Sequence, residues 1–126
     1  MQRNKMTKNF KRHEFACKCG CGFDDISPKL VAKLQLARDL FGEPIKVNSG
    51  CRCLSHNRKE KSRDTSSHIK GLAVDVSCNN TDTFKLIKLA YCLGRAGFKR
   101  IGINTKKKFI HIDIDKEKAQ NVIFTY

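Results

Sequence analysis

The chain is short of acidic side chains, of proline and of long apolar runs. Its 126 residues carry 12 aspartates and glutamates against 26 lysines and arginines, with two prolines. No apolar run approaches the roughly 20 residues needed to cross a bilayer, so we expect no membrane span. The basic N-terminus MQRNKMTKNFKRHEF lacks the apolar stretch of a secretory signal, so we expect synthesis in the cytoplasm without a signal peptide.

The composition is that of a single folded domain. Apolar residues make up 40% of the chain, which argues against disorder. No internal repeat or linker divides the sequence, so we expect one domain over residues 10–126 after a mobile basic segment over residues 1–9. The net charge of +14 favours a polyanionic neighbour: nucleic acid, an anionic membrane face or the acidic polymers of a bacterial cell wall.

The cysteines are numerous, and their count is odd. Cysteines two positions apart, as in CKCGC and CRC, are poorly placed to bridge each other, and the missing signal favours a reduced compartment. Structural zinc sites usually show pairs spaced C-x₂₋₄-C, which neither cluster has. We therefore expect small buried thiols, with a structural zinc as the alternative. The seven residues are Cys17, Cys19, Cys21, Cys51, Cys53, Cys78 and Cys92.

Two segments have the pattern and punctuation of helices. In SPKLVAKLQLARDLFG, Ser27 is a candidate N-cap, Pro28 takes the first helical position and Gly42 ends the helix. The second segment, NNTDTFKLIKLAYCLGRAGF, has Asn80 or Thr81 as its candidate cap. Both segments keep their apolar residues at helical spacing.

Four further segments are typical of strands: PIKVNSG, GLAVDV, RIGIN and KFIHIDID. The polar stretch RCLSHNRKEKSRDTSS predicts a short helix or a loop over the surface. This order of elements indicates an α+β fold with two main helices and a small, mostly antiparallel sheet.

The strand KFIHIDID separates apolar from polar side chains. Its isoleucines share one face, while His111, Asp113 and Asp115 share the other. In GLAVDV, Asp75 likewise lies opposite the apolar face. Gly71 permits a turn before that strand, which lets His68 fold back over the start of the strand.

Two imidazoles and one carboxylate, from His68, Asp75 and His111, suit a zinc ion with an open fourth position. Such a site activates water for hydrolysis, which then needs a carboxylate as base. Asp113 lies about 7 Å along the strand from His111 and is our candidate for that base, although it could instead orient His111. Arg52 can offer a bidentate fork to a carboxylate of the substrate.

These residues fall in motifs that resemble the M15 metallopeptidases, in particular their small phage-type branch. SSHIKGLAVDV contains S-x-H-x-x-G-x-A-x-D, SGCRCLSHN is similar to SGYRC-x-x-HN, and FIHIDI is similar to F-[IV]-H-[VI]-D. The resemblance implies one zinc per chain held by His68, Asp75 and His111, with Arg52 binding the substrate. It also implies that Ser66 braces the metal loop beside the substrate, within the fold that D-Ala-D-Ala peptidases share with the hedgehog signalling domain.

The chain departs from this family pattern at three places. Lys108 occupies the position where D/E-x-x-H relatives have a catalytic acid, so the base falls to Asp113 or to a residue elsewhere. Cys51 replaces the usual tyrosine, and KEKSRDT lacks the paired glycines before the histidine. We further expect Asp115 to be solvated and His56 to be structural.

Our first functional hypothesis is a monomeric zinc peptidase that cleaves peptidoglycan stem peptides. It would be a D-Ala-D-Ala carboxypeptidase or an L-Ala-D-Glu endopeptidase of phage or prophage type, acting on the bacterial wall after release, with anionic wall polymers as further partners. The alternative is a non-catalytic zinc-containing module that binds the wall. A nucleic-acid-binding zinc ribbon would fit the charge and the cysteines but not His68, Asp75 and His111, so we expect no nucleic acid partner.

Overall fold

A computed structural model describes residues 4–79 and 82–126, arranged as helices on one five-stranded sheet. A 3₁₀ helix (Arg12–Phe15) precedes the three α-helices, which are α1 (Pro28–Phe41), α2 (Leu54–Lys59) and α3 (Thr83–Arg95). The strands are β1 (Ile45–Ser49), β2 (Ala73–Cys78), β3 (Arg100–Asn104), β4 (Phe109–Asp113) and β5 (Val122–Thr125). The predicted α+β class is confirmed. Within the described ranges, every helix is too short or too polar to cross a membrane.

The sheet has the order β1-β2-β4-β3-β5. Its first four strands pair antiparallel, as predicted, whereas β5 runs parallel to β3. No strand was expected at β5, an edge strand whose Ile123 is exposed. Gly102 on β3 leaves room for the ring of Phe124, which a Cβ at this position would overlap.

The helix boundaries follow the local signals. Ser27 Oγ accepts a hydrogen bond from the Leu30 N–H at 3.3 Å, and Gly42 ends α1 with a φ of 76°. The predicted caps of the second helix, Asn80 and Thr81, lie outside the described residues. In the structure Asp82 caps α3, because its side chain accepts a hydrogen bond from the backbone N–H of Lys85.

The core lies between the sheet and the pair α1 and α3, which pack against each other while α3 contacts β2, β3 and β4. Val74, Val76, Ile110 and Ile112 are completely buried on the two central strands. The alternation predicted for β2 and β4 is therefore confirmed, and the opposite face of these strands is left for polar side chains.

Within the basic segment of residues 1–9, the described part makes specific contacts. Met6 packs against the core and Thr7 Oγ1 donates a hydrogen bond to Gln35 Oε1 at 2.8 Å. The mobility of this segment and the domain boundary at residue 10 stay predictions.

The cysteines divide into two groups. Cys51, Cys78 and Cys92 are buried, as is Cys17. The expectation of buried thiols is wrong for Cys19 and Cys21, which are exposed, and for Cys53, which is partly exposed. These three thiols are not part of the buried apolar core.

Gly71 forms the turn before β2, with a φ of +70°. An alanine in the left-handed region costs about 1–2 kcal/mol. We expect Gly71→Ala to lower the free energy of unfolding by more than this amount. The added Cβ would also overlap the carbonyl oxygen of Asp25. This oxygen belongs to the backbone, so it cannot move aside as the end of a side chain can. Urea denaturation measures the loss. Gly42→Ala is the matched control, because Gly42 has a φ of +76° and open space around its Cβ position. Equal losses in both variants would contradict the clash.

Candidate metal centre

Three predicted donors meet on the polar face of the central strands. Asp75 on β2 pairs directly with His111 on β4 in the antiparallel register. His68 lies in the turn before β2, and its Nε2 is 3.4 Å from Asp75 Oδ1. The distance from His111 Nδ1 to the same oxygen is 3.0 Å. One donor atom from each side chain lies within 4.8 Å of the other two, so a single ion could contact all three.

The hydrogen bonds around the two imidazoles select which ring nitrogen faces the other donors. His68 Nδ1 lies 2.7 Å from the carbonyl oxygen of Gly50, so Nδ1 carries the proton and Nε2 has the lone pair. His111 Nε2 lies 2.7 Å from Asp113 Oδ2, so its Nδ1, 3.0 Å from Asp75 Oδ1, is the nitrogen on the side of the other two donors. His68 Nε2 and His111 Nδ1 both face Asp75, and the second nitrogen of each ring is held by an oxygen atom behind it, as is usual for metal-binding imidazoles.

The Gly50 carbonyl that orients His68 is itself held in place by close packing. A Cβ at Gly50 would stand 2.7 Å from the carbonyl oxygen of Phe15, so the two backbone segments touch. The N–H of the next residue, Cys51, donates to that Phe15 oxygen at 2.8 Å, and the Arg52 N–H donates to the carbonyl of His68 at 3.1 Å. The segment after β1 is therefore fixed against both neighbouring loops.

Asp113 is completely buried and its two oxygens are occupied. Oδ2 accepts hydrogen bonds from His111 Nε2 and from Arg100 Nε, the latter at 3.1 Å. Oδ1 accepts from the backbone N–H of Asp115 at 3.2 Å. Asp113 therefore contacts the ring of His111, and both of its oxygens are engaged by groups of the protein.

The charges at the centre favour a carboxylate facing the imidazoles. Burial alone would raise the pKa of Asp75, but the neighbouring rings of His111 and His68 hold that pKa well below its usual range. Burial likewise lowers the pKa of His111, yet its hydrogen bonds to Asp113 and Asp75 raise that pKa overall. Asp75 is consequently ionised at neutral pH, and a cation between the rings would compete with protons for its charge.

Arg52 follows β1 and is fixed by three side chains. Its Nε donates to Ser49 Oγ and its Nη1 to Asn57 Oδ1, each at 3.1 Å. Its Nη2 lies 3.4 Å from Asp75 Oδ2. Asn57 is fully buried, and its Nδ2 donates to the carbonyl of Arg63 at 2.8 Å. Ser49 and Asn57 were missed as functional positions, although both stand in the quoted motif SGCRCLSHN.

The loop that carries His68 is braced at both ends. Ser66 Oγ accepts a hydrogen bond from the His68 N–H at 3.2 Å, a contact of the kind predicted for this serine. Ser67 Oγ donates to Asp115 Oδ2 at 2.8 Å, and Lys70 Nζ lies 3.0 Å from the same oxygen. The expectation that Asp115 is solvated is therefore wrong: it is 2% exposed and ties the loop to the end of β4.

The three donors line an open cleft of about 800 Å³. Glu60 adds a second carboxylate to that of Asp75, and His56, which we expect from the sequence to be structural, lines the cleft as well. Partial burial and the nearby charge of Asp75 raise the pKa of Tyr126 to about 12, so this cleft residue keeps its phenolic proton. The cationic side chains in the lining are Lys18, Arg52, Lys61, Arg63, Arg100, Lys107 and Lys118.

Lys108, which stands where D/E-x-x-H relatives have an acid, does not line this cleft. It adopts a φ of 59° in the turn between β3 and β4. Its Nζ donates to Thr83 Oγ1 at 3.0 Å, at the start of α3. The family position of the catalytic acid is therefore occupied by a lysine that contacts the start of α3.

Comparison with known proteins gives the class of protein that this site and fold define. Residues 8–113 match the family described as Peptidase M15, so the chain belongs to the M15 peptidases, a family of metallopeptidases. Among solved structures, the chain is similar to the L-Ala D-Glu endopeptidase ChiX of Serratia marcescens. That similarity has a TM-score of 0.58 and 24% identity and covers 73% of this chain and 82% of that chain, which shows a shared fold. No curated protein matches the chain.

Proposed function

We propose that this M15 peptidase is zinc-dependent and hydrolyses peptidoglycan stem peptides. The observation that carries the proposal is the convergence of His68 Nε2, His111 Nδ1 and the Asp75 carboxylate in a cationic cleft. Two imidazole nitrogens and one carboxylate oxygen fit the donor preferences of zinc and leave one tetrahedral position for water or substrate.

When bound in such a site, zinc lowers the pKa of water to about 7 and polarises a carbonyl oxygen. The side chains of the chain supply the remaining functions. Gly50 and Asp113 hold the two imidazoles in the tautomers that present Nε2 and Nδ1. Arg52, fixed by Ser49 and Asn57, is placed beside Asp75 to bind a substrate carboxylate without losing much side-chain freedom.

For Asp113 we propose the orienting role. A base that accepts a proton from water needs an oxygen facing the cleft, whereas both oxygens of Asp113 receive hydrogen bonds from the protein. Its hydrogen bond to His111 raises the basicity of the ring, as carboxylates behind metal-bound histidines do. Direct proton transfer by Asp113 remains the competing prediction.

The charge of the cleft supports an anionic peptide as substrate. Seven lysines and arginines line it against two carboxylates, one of which belongs to the donor set. Stem peptides present free carboxylates next to either candidate bond, at the C-terminus of D-Ala-D-Ala and on the D-Glu residue. The acidic polymers of the wall would be attracted to the same charges, and we propose action at the wall by a monomer of phage or prophage type.

A non-catalytic wall-binding module is the second candidate. The position and contacts of Lys108 favour it, because this side chain reaches Thr83 and not the cleft. The engaged oxygens of Asp113 favour it as well. In this case the donor set would hold zinc for stability, and the cleft would bind stem peptides without cleaving them.

Digestion of purified peptidoglycan separates the two candidates. We expect the zinc-loaded chain to release fragments whose masses identify the cleaved bond. We expect Arg52→Lys to lower kcat/KM by about 10–100-fold, since a charged hydrogen-bonding fork is worth about 1.5–3 kcal/mol. Lys61→Ser, which removes a cleft charge outside this network, is the control. Binding of the peptidoglycan without release of fragments by the fully loaded protein would establish the second candidate.

A further inference from the structure

Four thiols meet outside the candidate metal centre. The sulfur atoms of Cys17, Cys19, Cys21 and Cys53 all lie within 4.8 Å of one another. The Cys17 and Cys19 sulfurs are 3.4 Å apart, and those of Cys19 and Cys53 are 3.6 Å apart. Three of these cysteines come from the loop after the 3₁₀ helix, and the fourth precedes α2, 32 positions beyond Cys21.

The spacing of these sulfurs fits one tetrahedral ion. With Zn–S bonds of about 2.3 Å, the sulfurs of a tetrahedral site stand about 3.8 Å apart. A disulfide joins one pair at about 2.05 Å and leaves the other sulfurs outside bonding distance. Here each thiol is close to three others, which is the geometry of a single four-coordinate ion.

We propose that Cys17, Cys19, Cys21 and Cys53 bind a structural Zn²⁺ ion, distinct from the ion of the candidate metal centre. All four positions are filled by protein sulfur, so this site has no open position for a substrate. Structural and catalytic zinc sites differ in just this respect. The chain would then carry two zinc ions, where the sequence led us to expect one.

The backbone of the loop is shaped for this convergence. Gly20 and Gly22 have φ values of +84° and +92°, and a Cβ at either position would meet nothing within 4 Å. These glycines are therefore required by conformation and not by packing. They turn the chain beside Cys19 and Cys21, so that thiols two positions apart can face the same point.

Two of the sulfurs also accept hydrogen bonds from backbone N–H groups. The backbone N–H of Cys53 donates to Cys17 Sγ, and the N–H of His56 donates to Cys53 Sγ, each at 3.4 Å. Such donors stabilise the negative charge of coordinating sulfurs. Cys51, two positions from Cys53, is 1% exposed within the apolar core and stays out of the cluster. The CRC motif thus contributes one ligand and one core residue.

The cluster is joined to the candidate metal centre through one short segment. Gly50 orients the ring of His68, Arg52 contacts Asp75, and Cys53 completes the thiol cluster. An ion between the four sulfurs would tie the loop after the 3₁₀ helix to this segment. Loss of that ion is expected to loosen Arg52 as well as the loop.

Elemental analysis of protein purified under reducing conditions tests the proposal. We expect two zinc ions per chain in the wild type and one in the double variant Cys19→Ser/Cys21→Ser. We expect one in His68→Ala as well, and two in Lys18→Ser, a matched exposed change in the same loop. Because Cys19 and Cys21 are exposed, their replacement leaves the apolar core intact.

Cobalt substitution reports on the ligands without relying on activity. Wild type and His68→Ala loaded with Co²⁺ should show the intense sulfur-to-cobalt charge-transfer absorption of a thiolate site, and the double cysteine variant should lack it.

One metal per chain in wild type that disappears in His68→Ala would overturn the proposal. Three other results would also overturn it: disulfides among the four cysteines, seen in the mass of the intact protein; iron bound to the four thiols in place of zinc; or two zinc ions retained by the double cysteine variant. The peptidase proposal is unaffected by any of these results.

Discussion

His68→Ala is expected to lose the ion of the candidate metal centre and to reduce peptidoglycan hydrolysis to the level of the buffer. His68 is 3% exposed, and its Nε2 faces Asp75 beside Nδ1 of His111. Removing it leaves two donors for one ion. Loss of the partner behind a ligand already lowers metal affinity by about 10–100-fold, and loss of the ligand itself should exceed that range.

Zinc content and a competition titration with a chromogenic chelator measure this effect on His68→Ala. His13→Ala is the control, because His13 is exposed and its ring contacts Asn4 outside the cleft. Hydrolysis that persists in His68→Ala at the wild-type rate would show that the reaction does not use this centre. Loss of hydrolysis in both variants would point to a general effect of the substitution.

Asp113→Asn is expected to bind zinc about 10–100-fold more weakly than the wild type. At saturating zinc, the variant should keep most of the wild-type turnover. The asparagine oxygen can still accept the proton of His111 Nε2, but it carries no charge to raise the basicity of the ring. Arg100 loses the charge of its partner at the same time, because its Nε donates to Asp113 Oδ2. Zinc affinity and kcat, measured separately on one preparation, report the two roles.

A catalytic base gives the opposite pattern for Asp113→Asn. Zinc affinity would then stay at the wild-type value while kcat falls at every zinc concentration, because the proton acceptor is missing. Asp64→Asn is the comparison variant. Asp64 is an exposed carboxylate paired with Arg58, so its neutralisation alters charge without touching the centre.

The fold could be predicted wherever the signals are local. The cap at Ser27 and the left-handed end at Gly42 act within one turn of α1, and the alternation of KFIHIDID is fixed by strand geometry. The family motifs located His68, Asp75 and His111 because these positions are encoded as short patterns. The structure brings the three together through strand pairing and the turn at Gly71.

What the sequence did not reveal depends on contacts between distant segments. Asp115 is buried because Ser67 and Lys70 hold it, 48 and 45 positions away. β5 exists because it pairs with β3, and its own residues alternate between exposed and half-buried positions. The thiol cluster spans two loops, and its C-x-C spacing differs from the usual zinc pattern.

The pairing of Asp75 with His111 links the accuracy of folding to the assembly of the centre. Side chains alternate along a strand, so a shift of β4 by one residue would place Ile110 or Ile112 opposite Asp75. The same shift would push His111 and Asp113 into the apolar core. A chain that buries its isoleucines on the core face therefore presents Asp75 and His111 on the opposite face, and the register of β2 and β4 determines whether these two side chains stand directly opposite each other.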